Sequence, residues 1–197
     1  LQRLVLPGHE EFDDFVSYGK PQALVMTPTR ELALQVSTDL AKASAKLGVR
    51  VLTIYGGVGY DEQLDTLSDG VDLVVGTPGR LLDLANRKSL DLSHVQVLVL
   101  DEADEMLDLG FLPDVERLTG MTPSDKQTLM FSATMPAQII ALARAHLNQP
   151  VHVRAEGQDA QATVPDTTQF VYQAHDLDKP EIIGKLAQAP SVGKMMV

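Results

Sequence analysis

The sequence of 197 residues contains no cysteine, which excludes disulfide frameworks and metal sites built from thiolates. It also lacks a leader peptide and an apolar run of about 18 residues, so we expect a soluble, cytoplasmic protein with no membrane partner. None of its five histidines shows a spacing typical of metal ligands. The hydrophobic share of 44% is enough for a substantial core and argues against disorder.

Basic residues are scarce in this chain. The sequence has 16 lysines and arginines against 27 aspartates and glutamates, which gives a formal net charge of −11. A molecule with this charge repels polyanions as a whole. Any contact with nucleic acid must therefore come from local basic clusters.

Short apolar runs alternate along the chain with segments of helical period, which is typical of βαβ units. We therefore predict an α/β fold with a doubly wound, mostly parallel sheet. The predicted strands are 22–27, 50–55, 72–76, 95–100, 127–131 and 151–154. The predicted helices are 32–47, 60–69, 78–87, 112–118 and 136–147.

The last part of the chain has a different composition. Residues 155–167 are polar and aperiodic, which predicts a linker. A strand at 168–174, a helix near 178–188 and an apolar strand from Lys194 follow, and we interpret them as the first step of a second domain. Because the chain begins without methionine and ends in an apolar run, we expect it to be an internal piece of a longer protein.

Three carboxylates, Asp101, Glu102 and Asp104, directly follow the apolar run at 95–100. Unpaired acids are costly to bury, so acids at the exit of a buried strand need a cation, hydrogen-bond donors or water. This pattern is typical of a magnesium nucleotide site. The alternative is a solvated helix start, since acids favour helix N-termini.

Two segments, Thr-Pro-Thr-Arg at 27–30 and Thr-Pro-Gly-Arg at 77–80, each lead from a predicted strand into a predicted helix. Threonine is a favoured N-cap, proline suits the first helical position, and the arginine then lies in the first turn. A helix N-terminus beside a guanidinium suits a phosphate. The alternative is that Thr-Pro only starts a helix. However, arginine opposes the helix dipole there, so its repeated occurrence favours an external anion.

Two further strand exits carry small or hydroxyl residues. Gly56 and Gly57 permit close approach of a nucleic-acid backbone, although a Gly-Gly pair alone is more often a simple turn. Ser132 and Thr134 follow the predicted strand at 127–131, and Thr134 alone is readily explained as an N-cap. Because the carboxyl ends of parallel strands line one edge, we expect both hydroxyls to lie within reach of the acids.

Taken in order, these motifs resemble those of the DEAD-box ATP-dependent RNA helicases. The matching segments are Pro-Thr-Arg-Glu-Leu-Ala at 28–33, Gly-Gly at 56–57, Thr-Pro-Gly-Arg at 77–80, Asp-Glu-Ala-Asp at 101–104 and Ser-Ala-Thr at 132–134. The resemblance implies a RecA-like fold of the P-loop NTPase type, ATP and Mg²⁺ as cofactors, and single-stranded or short duplex RNA as partner. It also implies an ATP-binding domain at 1–154, truncated before residue 1, a linker at 155–167 and the beginning of a second RecA-like domain at 168–197.

The resemblance also implies a role for each residue. Asp101 would hold Mg²⁺ through its water shell, and Glu102 would orient or deprotonate the water that attacks the γ-phosphate. Asp104 would pair with Ser132 or Thr134 and thereby link the nucleotide state to the RNA face. The RNA backbone would be bound, without sequence choice, by Pro28, Thr29, Arg30, Gly56, Gly57, Thr77, Pro78, Gly79 and Arg80.

One motif of such helicases is absent from the sequence, the phosphate loop Gly-x-x-x-x-Gly-Lys-[Ser/Thr]. We therefore expect Leu1 to lie just after a missing phosphate loop. On this interpretation the piece hydrolyses ATP negligibly, while the intact parent is an RNA-stimulated ATPase. Two alternatives are a non-catalytic RNA-binding or partner-binding half-domain, and a metal-dependent hydrolase that uses the three acids directly.

Overall fold

The computed structural model describes Leu4, residues 19–154 and residues 173–189, except for the side chain of Asp176. Its strands are β1 (Ala23–Met26), β2 (Val51–Ile54), β3 (Leu73–Gly76), β4 (Val97–Leu100) and β5 (Gln127–Met130). They form one parallel five-stranded sheet in the order β2-β3-β1-β4-β5. The predicted α/β class and parallel sheet are therefore correct.

The helices connect these strands. They are α1 (Arg30–Ser44), α2 (Asp61–Asp69), α3 (Pro78–Asn86), α4 (Ala103–Asp108), α5 (Leu112–Gly120), α6 (Ala137–His146) and α7 (Lys179–Ala187). A short 3₁₀ segment, Asp176–Asp178, precedes α7. No helix in the described part of the chain is both long enough and apolar enough to cross a membrane.

Apolar residues cover the sheet on both faces. All residues of β1 and β3 are buried, as expected for central parallel strands whose two faces are both packed. Successive side chains point to opposite faces, so Leu24 and Met26 join one core cluster and Ala23 and Val25 the other. Buried residues of α2 to α6 contribute to the first cluster, and Ala33 of α1 contributes to the second.

The amino ends of β2 and β3 are joined by an ion pair. The Arg50 guanidinium donates from Nη2 to Asp72 Oδ1 at 2.9 Å and from Nε to Oδ2 at 3.1 Å, and the Arg50 backbone amide also donates to Oδ2 at 2.8 Å. Asp72 is only 4% exposed. The hydrogen bonds that Arg50 donates to the Asp72 carboxylate raise the pKa of Arg50. Gly70 has φ +91°, and a Cβ there would lie 2.7 Å from Arg50 Nη1, so this turn requires glycine.

Several predicted elements differ from the structure. The predicted strand at 151–154 is wrong: these residues form no strand, and Val151 and Val153 are 86% and 79% exposed. Alternating Val-His-Val-Arg has the strand pattern, but a strand also needs a pairing partner, and it has none in the described residues. Helix α4 is not among the predicted helices, although a helix start was the alternative interpretation of the acids at 101–104.

The chain divides into two compact units, Leu1–Val151 and His152–Val197. In the second unit the predicted helix near 178–188 corresponds to α7. Gln173 and Ala174 are not in a strand. The rest of the predicted strand at 168–174, the linker at 155–167 and the strand from Lys194 lie outside the described residues.

Candidate functional site

The exits of all five strands lie at one edge of the sheet. The register pairs Met26 with Gly76 and Leu100, Ile54 with Gly76, and Leu100 with Met130. The segments that follow these residues therefore emerge side by side, although they are far apart in sequence. Every segment to which the sequence assigned a site residue begins here.

One half of this edge contains the acid turn, which we define as residues 101–104, and the hydroxyl turn, residues 132–134. Asp104 Oδ2 accepts hydrogen bonds from the Thr134 amide and from the Thr134 hydroxyl, both at 2.8 Å. Ser132 Oγ accepts from the Asp104 amide at 3.2 Å and donates to the Thr134 carbonyl at 2.7 Å. The two turns therefore form one hydrogen-bonded unit.

These donors control the protonation of Asp104. Burial would raise its pKa, but hydrogen bonds from the Thr134 hydroxyl and amide, together with the neighbouring Ser132 hydroxyl, outweigh burial and lower the pKa from 3.8 to about 2. Asp104 is therefore ionised at neutral pH and already has its hydrogen-bond donors. It is an anchor between two strand exits.

The other two acids have different environments. Glu102 is exposed and adopts a left-handed backbone conformation, φ +50° and ψ +53°, at the N-cap of α4. Such a conformation is uncommon for a residue with a side chain and clusters at functional sites. Asp101 is half-buried, and its Oδ1 accepts a hydrogen bond from the Glu102 amide at 3.1 Å. In the described part of the chain the Glu102 carboxylate accepts no hydrogen bond.

The acid turn does not form a metal site of several protein ligands. Among the described residues, no three histidines, cysteines or acids are grouped to hold a metal ion. This observation argues against a hydrolase in which the three acids coordinate a metal directly. Mg²⁺, however, usually binds through one or two carboxylates together with water and substrate phosphates, and Asp101 fits that chemistry.

The other half of the edge contains the two Thr-Pro turns. The sequence predicts the same construction for both turns, but their structures differ. Helix α1 begins at Arg30, and Thr29 is its N-cap, accepting from the Leu32 amide at 3.2 Å. Helix α3 begins at Pro78, and Thr77 at its N-cap accepts no hydrogen bond from the helix through its side chain. The second threonine of the first segment takes the capping role, so Pro28 lies before the cap.

Both arginines converge on the same loop, residues 55–60, which we call the tyrosine loop. The Arg30 guanidinium carbon lies 4.6 Å from the centroid of the Tyr55 ring, and that of Arg80 lies 4.1 Å from the centroid of the Tyr60 ring. Gly57 has φ +81°, which favours glycine. A Cβ added at Gly56, Gly57 or Gly79 would meet no atom of the described structure within 4 Å, so the backbone is open to a ligand.

The two arginines differ in their hydrogen bonds. Arg80 donates from Nη2 to the Val58 carbonyl at 2.8 Å and from Nη1 to the Gly59 carbonyl and Gln63 Oε1, both at 3.4 Å. Arg30 is exposed, and its side chain donates no hydrogen bond within the described residues.

Sequence reasoning missed three residues of this region: Tyr60, Gln63 and Arg87. The Arg87 guanidinium carbon lies 4.4 Å from the Tyr60 centroid, and its Nε donates to Asp83 at 3.0 Å. The nearby Tyr60 hydroxyl, and then Arg87, lower the pKa of Asp83. Gln63 is buried and donates to the Tyr55 carbonyl at 3.2 Å. The only sequence signal was the pair of tyrosines that bracket the glycines.

A parallel five-stranded α/β sheet with these motifs along its carboxyl edge is the RecA-like domain of helicases. The chain belongs to the DEAD/DEAH box helicase family, whose sequence profile matches residues 4–142.

Individual relatives agree with this assignment. The chain is 45% identical over 173 residues to the DEAD-box ATP-dependent RNA helicase CshA of Geobacillus kaustophilus, covering 87% of this chain and 37% of that protein. It is 50% identical over 137 residues to the chloroplastic DEAD-box ATP-dependent RNA helicase 3A of Zea mays, covering 70% and 18% respectively. The chain thus spans little more than a third of the first of these relatives.

Solved structures show the same fold. The crystal structure of a DEAD box protein from the hyperthermophile Methanococcus jannaschii superposes with a TM-score of 0.67 at 33% identity, covering 91% of this chain and 48% of that one. The yeast DEAD-box splicing factor Prp28 gives a TM-score of 0.62 at 37% identity, covering 65% and 31%.

Proposed function

We propose that this chain forms the ATP- and RNA-binding face of an ATP-dependent RNA helicase, in which RNA-stimulated ATP hydrolysis drives local duplex unwinding. The observation that carries the proposal is the placement of the acid turn, the hydroxyl turn and the two Thr-Pro turns on one edge of one sheet. Within this proposal, the sheet is a doubly wound RecA-like domain at 1–154, residues 155–167 are a linker, and residues 168–197 begin a second RecA-like domain.

The acid turn supplies the nucleotide side of the site. Asp101 would hold Mg²⁺ through its water shell, and the bound ion would supply positive charge to offset the negative charge of the phosphates. The Glu102 carboxylate, exposed and without a hydrogen-bond donor in the described residues, orients or deprotonates the attacking water. Asp104 with Ser132 and Thr134 connects this side to the neighbouring strand exit.

The residues of this chain do not make a complete ATP site. The 197 residues include no phosphate loop, whose amides and lysine normally surround the β- and γ-phosphates. The isolated chain should release phosphate from ATP at a negligible rate.

The other half of the edge binds the sugar-phosphate backbone of RNA. Open backbone at Gly56, Gly57 and Gly79 and the guanidinium of Arg30 are suited to phosphates and have no means of reading bases, so binding is independent of sequence. Because the chain as a whole is acidic, this local cluster has to supply the attraction.

Phosphate release tests the proposal in a chimera. Residues 4–142 replace the matching part of the Geobacillus kaustophilus helicase, which supplies the rest of the protein. We expect RNA-stimulated phosphate release from the chimera and almost none from the isolated 197-residue chain. Robust turnover by the isolated chain, or a folded chimera that binds RNA but never hydrolyses ATP, would contradict the proposal.

A second candidate function is a non-catalytic RNA-binding or partner-binding half-domain. The exposed guanidinium of Arg30 and the open backbone at Gly56 and Gly57, none of which needs a nucleotide, favour it. The two functions differ in their requirement for nucleotide. Salt-sensitive RNA binding by the isolated chain without ATP supports the half-domain, whereas binding that requires ATP in the chimera supports the helicase.

A further inference from the structure

We infer that the cleft between the amino ends of β4 and β5 binds an organic carboxylate, with Lys126 and Gln96 as its hydrogen-bond donors. The cleft has a volume of about 520 Å³ and is lined by residues of the loop before β4 and of the loop before β5. Cavities of this size hold small organic molecules. The cleft lies at the edge of the sheet opposite the acid turn and the two Thr-Pro turns, so its ligand would not compete with ATP or RNA.

The sheet holds the two donor residues next to each other. Val97 and Gln127 form the first pair of the ladder between β4 and β5. Gln96 and Lys126 directly precede this pair, and both line the cleft. The Gln127 amide also donates to the Gln96 carbonyl at 2.8 Å, which fixes the two loops where they enter the sheet. Groups carried by paired strands keep their spacing, as a specific ligand site requires.

Lys126 carries a positive charge that has no ion-pair partner among the described residues. It is half-buried, and its Nζ donates to the Pro123 carbonyl at 3.0 Å. Burial lowers the pKa of Lys126, and the charge of Asp125 opposes this effect only in part. An ammonium group has three donors, so two of them are available to an anion in the described structure.

Gln96 supplies the second donor. It is half-buried, and within the part of the chain that the structure describes its carboxamide makes no hydrogen bond. Partly buried polar groups are stabilised when water or a ligand satisfies them. Val95 and Pro123 add apolar surface to the cleft, which suits the carbon atoms of an organic ligand.

The charges around the cleft favour a carboxylate over a phosphate. Phosphate groups are typically bound by arginine forks or several cations, and no arginine lines this cleft. Asp125, an exposed acid that lines the cleft, would repel a dianion more strongly than a monoanion. A carboxylate carries a single charge, which Lys126 alone can balance.

Titration of the 197-residue chain at constant pH and ionic strength, followed by two-dimensional amide NMR, tests this inference. The probe is N-acetylglycine, and the matched control is the uncharged N-acetylglycinamide. We expect the acid to shift the amide signals of Gln96, Asp125 and Lys126, and the control to leave them unchanged. No shift with the acid, or equal shifts with both compounds, would overturn the inference.

Substitutions assign the binding to the two donors. Lys126→Met keeps the length of the side chain but removes its charge, so binding should weaken by a factor of about ten or more. Gln96→Leu removes a neutral donor and should weaken binding by a factor of about two to ten. Lys46→Met changes an exposed lysine that does not line the cleft, and it should bind as the parent chain does. Unchanged affinity in Lys126→Met contradicts the assignment.

Asp125→Asn tests the site even if Lys126→Met does not fold, because Asp125 is exposed. Its removal takes a negative charge away from the cleft, so N-acetylglycine should bind about two to three times more tightly. Weaker binding by this variant would overturn the inference, because it would make Asp125 a contact of the ligand.

Two further probes distinguish the source of the carboxylate and its class. N-acetyl-triglycine presents the same group as the end of a peptide chain. Tighter binding than that of N-acetylglycine supports a peptide C-terminus as the ligand, and equal or weaker binding supports a free small carboxylate. Inorganic phosphate should bind more weakly than N-acetylglycine, and tighter binding of phosphate would overturn the choice of a carboxylate.

Discussion

The acid turn and the tyrosine loop lie on the same edge of one sheet, yet they are held by different means. Thr134 and Ser132, from the adjacent strand exit, fix the acid turn through hydrogen bonds. The tyrosine loop is fixed instead by arginines from two helices that contact its two aromatic rings. The anionic turn is held by backbone and hydroxyl donors, whereas Arg80 contacts backbone carbonyls and a ring face and Arg30 contacts a ring face.

This difference determines what each half leaves available. On the acid side Asp104 is occupied as an anchor, while Glu102 is exposed and accepts no hydrogen bond from the described residues. On the basic side Arg80 donates hydrogen bonds to the tyrosine loop and to Gln63, while the Arg30 side chain is exposed. Each half therefore pairs one supporting residue with one residue that is accessible to a ligand. Substitutions can test whether the two halves, and the two members of each pair, affect hydrolysis, stability and RNA binding independently.

The largest expected effect is on hydrolysis. In the chimera, Glu102→Gln keeps the shape of the side chain but removes its ability to take a proton, so phosphate release should fall by a factor of about 10²–10⁴. The matched control is Glu105→Gln, an exposed acid of helix α4 outside the acid turn, which should retain activity. Hydrolysis that survives Glu102→Gln would remove this residue from the mechanism.

A second prediction concerns the opposite edge of the sheet. There the Arg50–Asp72 ion pair joins the amino ends of β2 and β3, away from both halves of the candidate site. Arg50→Ala removes the guanidinium from the buried Asp72 carboxylate but keeps the backbone amide that also donates to it, so the free energy of unfolding should fall by about 1–3 kcal/mol. Arg87→Ala breaks an exposed i,i+4 pair with Asp83 and should lower stability far less than Arg50→Ala does. Urea denaturation of the chain measures both, and similar losses would contradict the structural role of Arg50.

A smaller effect is expected for the anchor of the acid turn. Asp104 has a folded-state pKa of about 2, below its ordinary 3.8, so its contribution to stability is present above pH 3.8 and is lost as pH falls toward 2. Thr134→Val removes one hydroxyl donor and should raise the pKa of Asp104, so that the contribution to stability becomes smaller and its loss is complete at a higher pH. NMR titration of the carboxyl measures the shift. Thr38→Val, which removes a hydroxyl bonded only within helix α1, should leave Asp104 unchanged.

The sequence predicted the parts of the fold that local pattern controls. Strands β1 and β3 are continuous apolar runs, and the parallel arrangement follows from their alternation with helices. The strand predicted at 151–154 failed because pairing depends on a neighbour, which the local pattern of valines does not reveal. The two Thr-Pro segments look alike in sequence, but the extra threonine at Thr29 shifts the helix start.

The acids and arginines of the candidate site could be predicted from the sequence, but the contacts that hold them in place could not. The motif order placed Asp101, Asp104 and Thr134 at one edge, because parallel strands bring their exits together. The left-handed conformation of Glu102 and the contacts between Tyr60 and Arg87 depend on tertiary packing. Neither is encoded in residue spacing, so only the structure shows how the loop is held.

We assign RNA binding to the half of the edge that contains Arg30 and not to the acid turn. RNA binding by the 197-residue chain tests this assignment most directly. Affinity for oligouridine is measured against salt concentration for the parent chain, Arg30→Ala and Glu102→Gln. We predict that Arg30→Ala weakens binding and lowers the salt slope by about 0.7, while Glu102→Gln leaves the affinity no weaker. Salt-independent binding by the parent chain, or an equal loss in both variants, would contradict the claim.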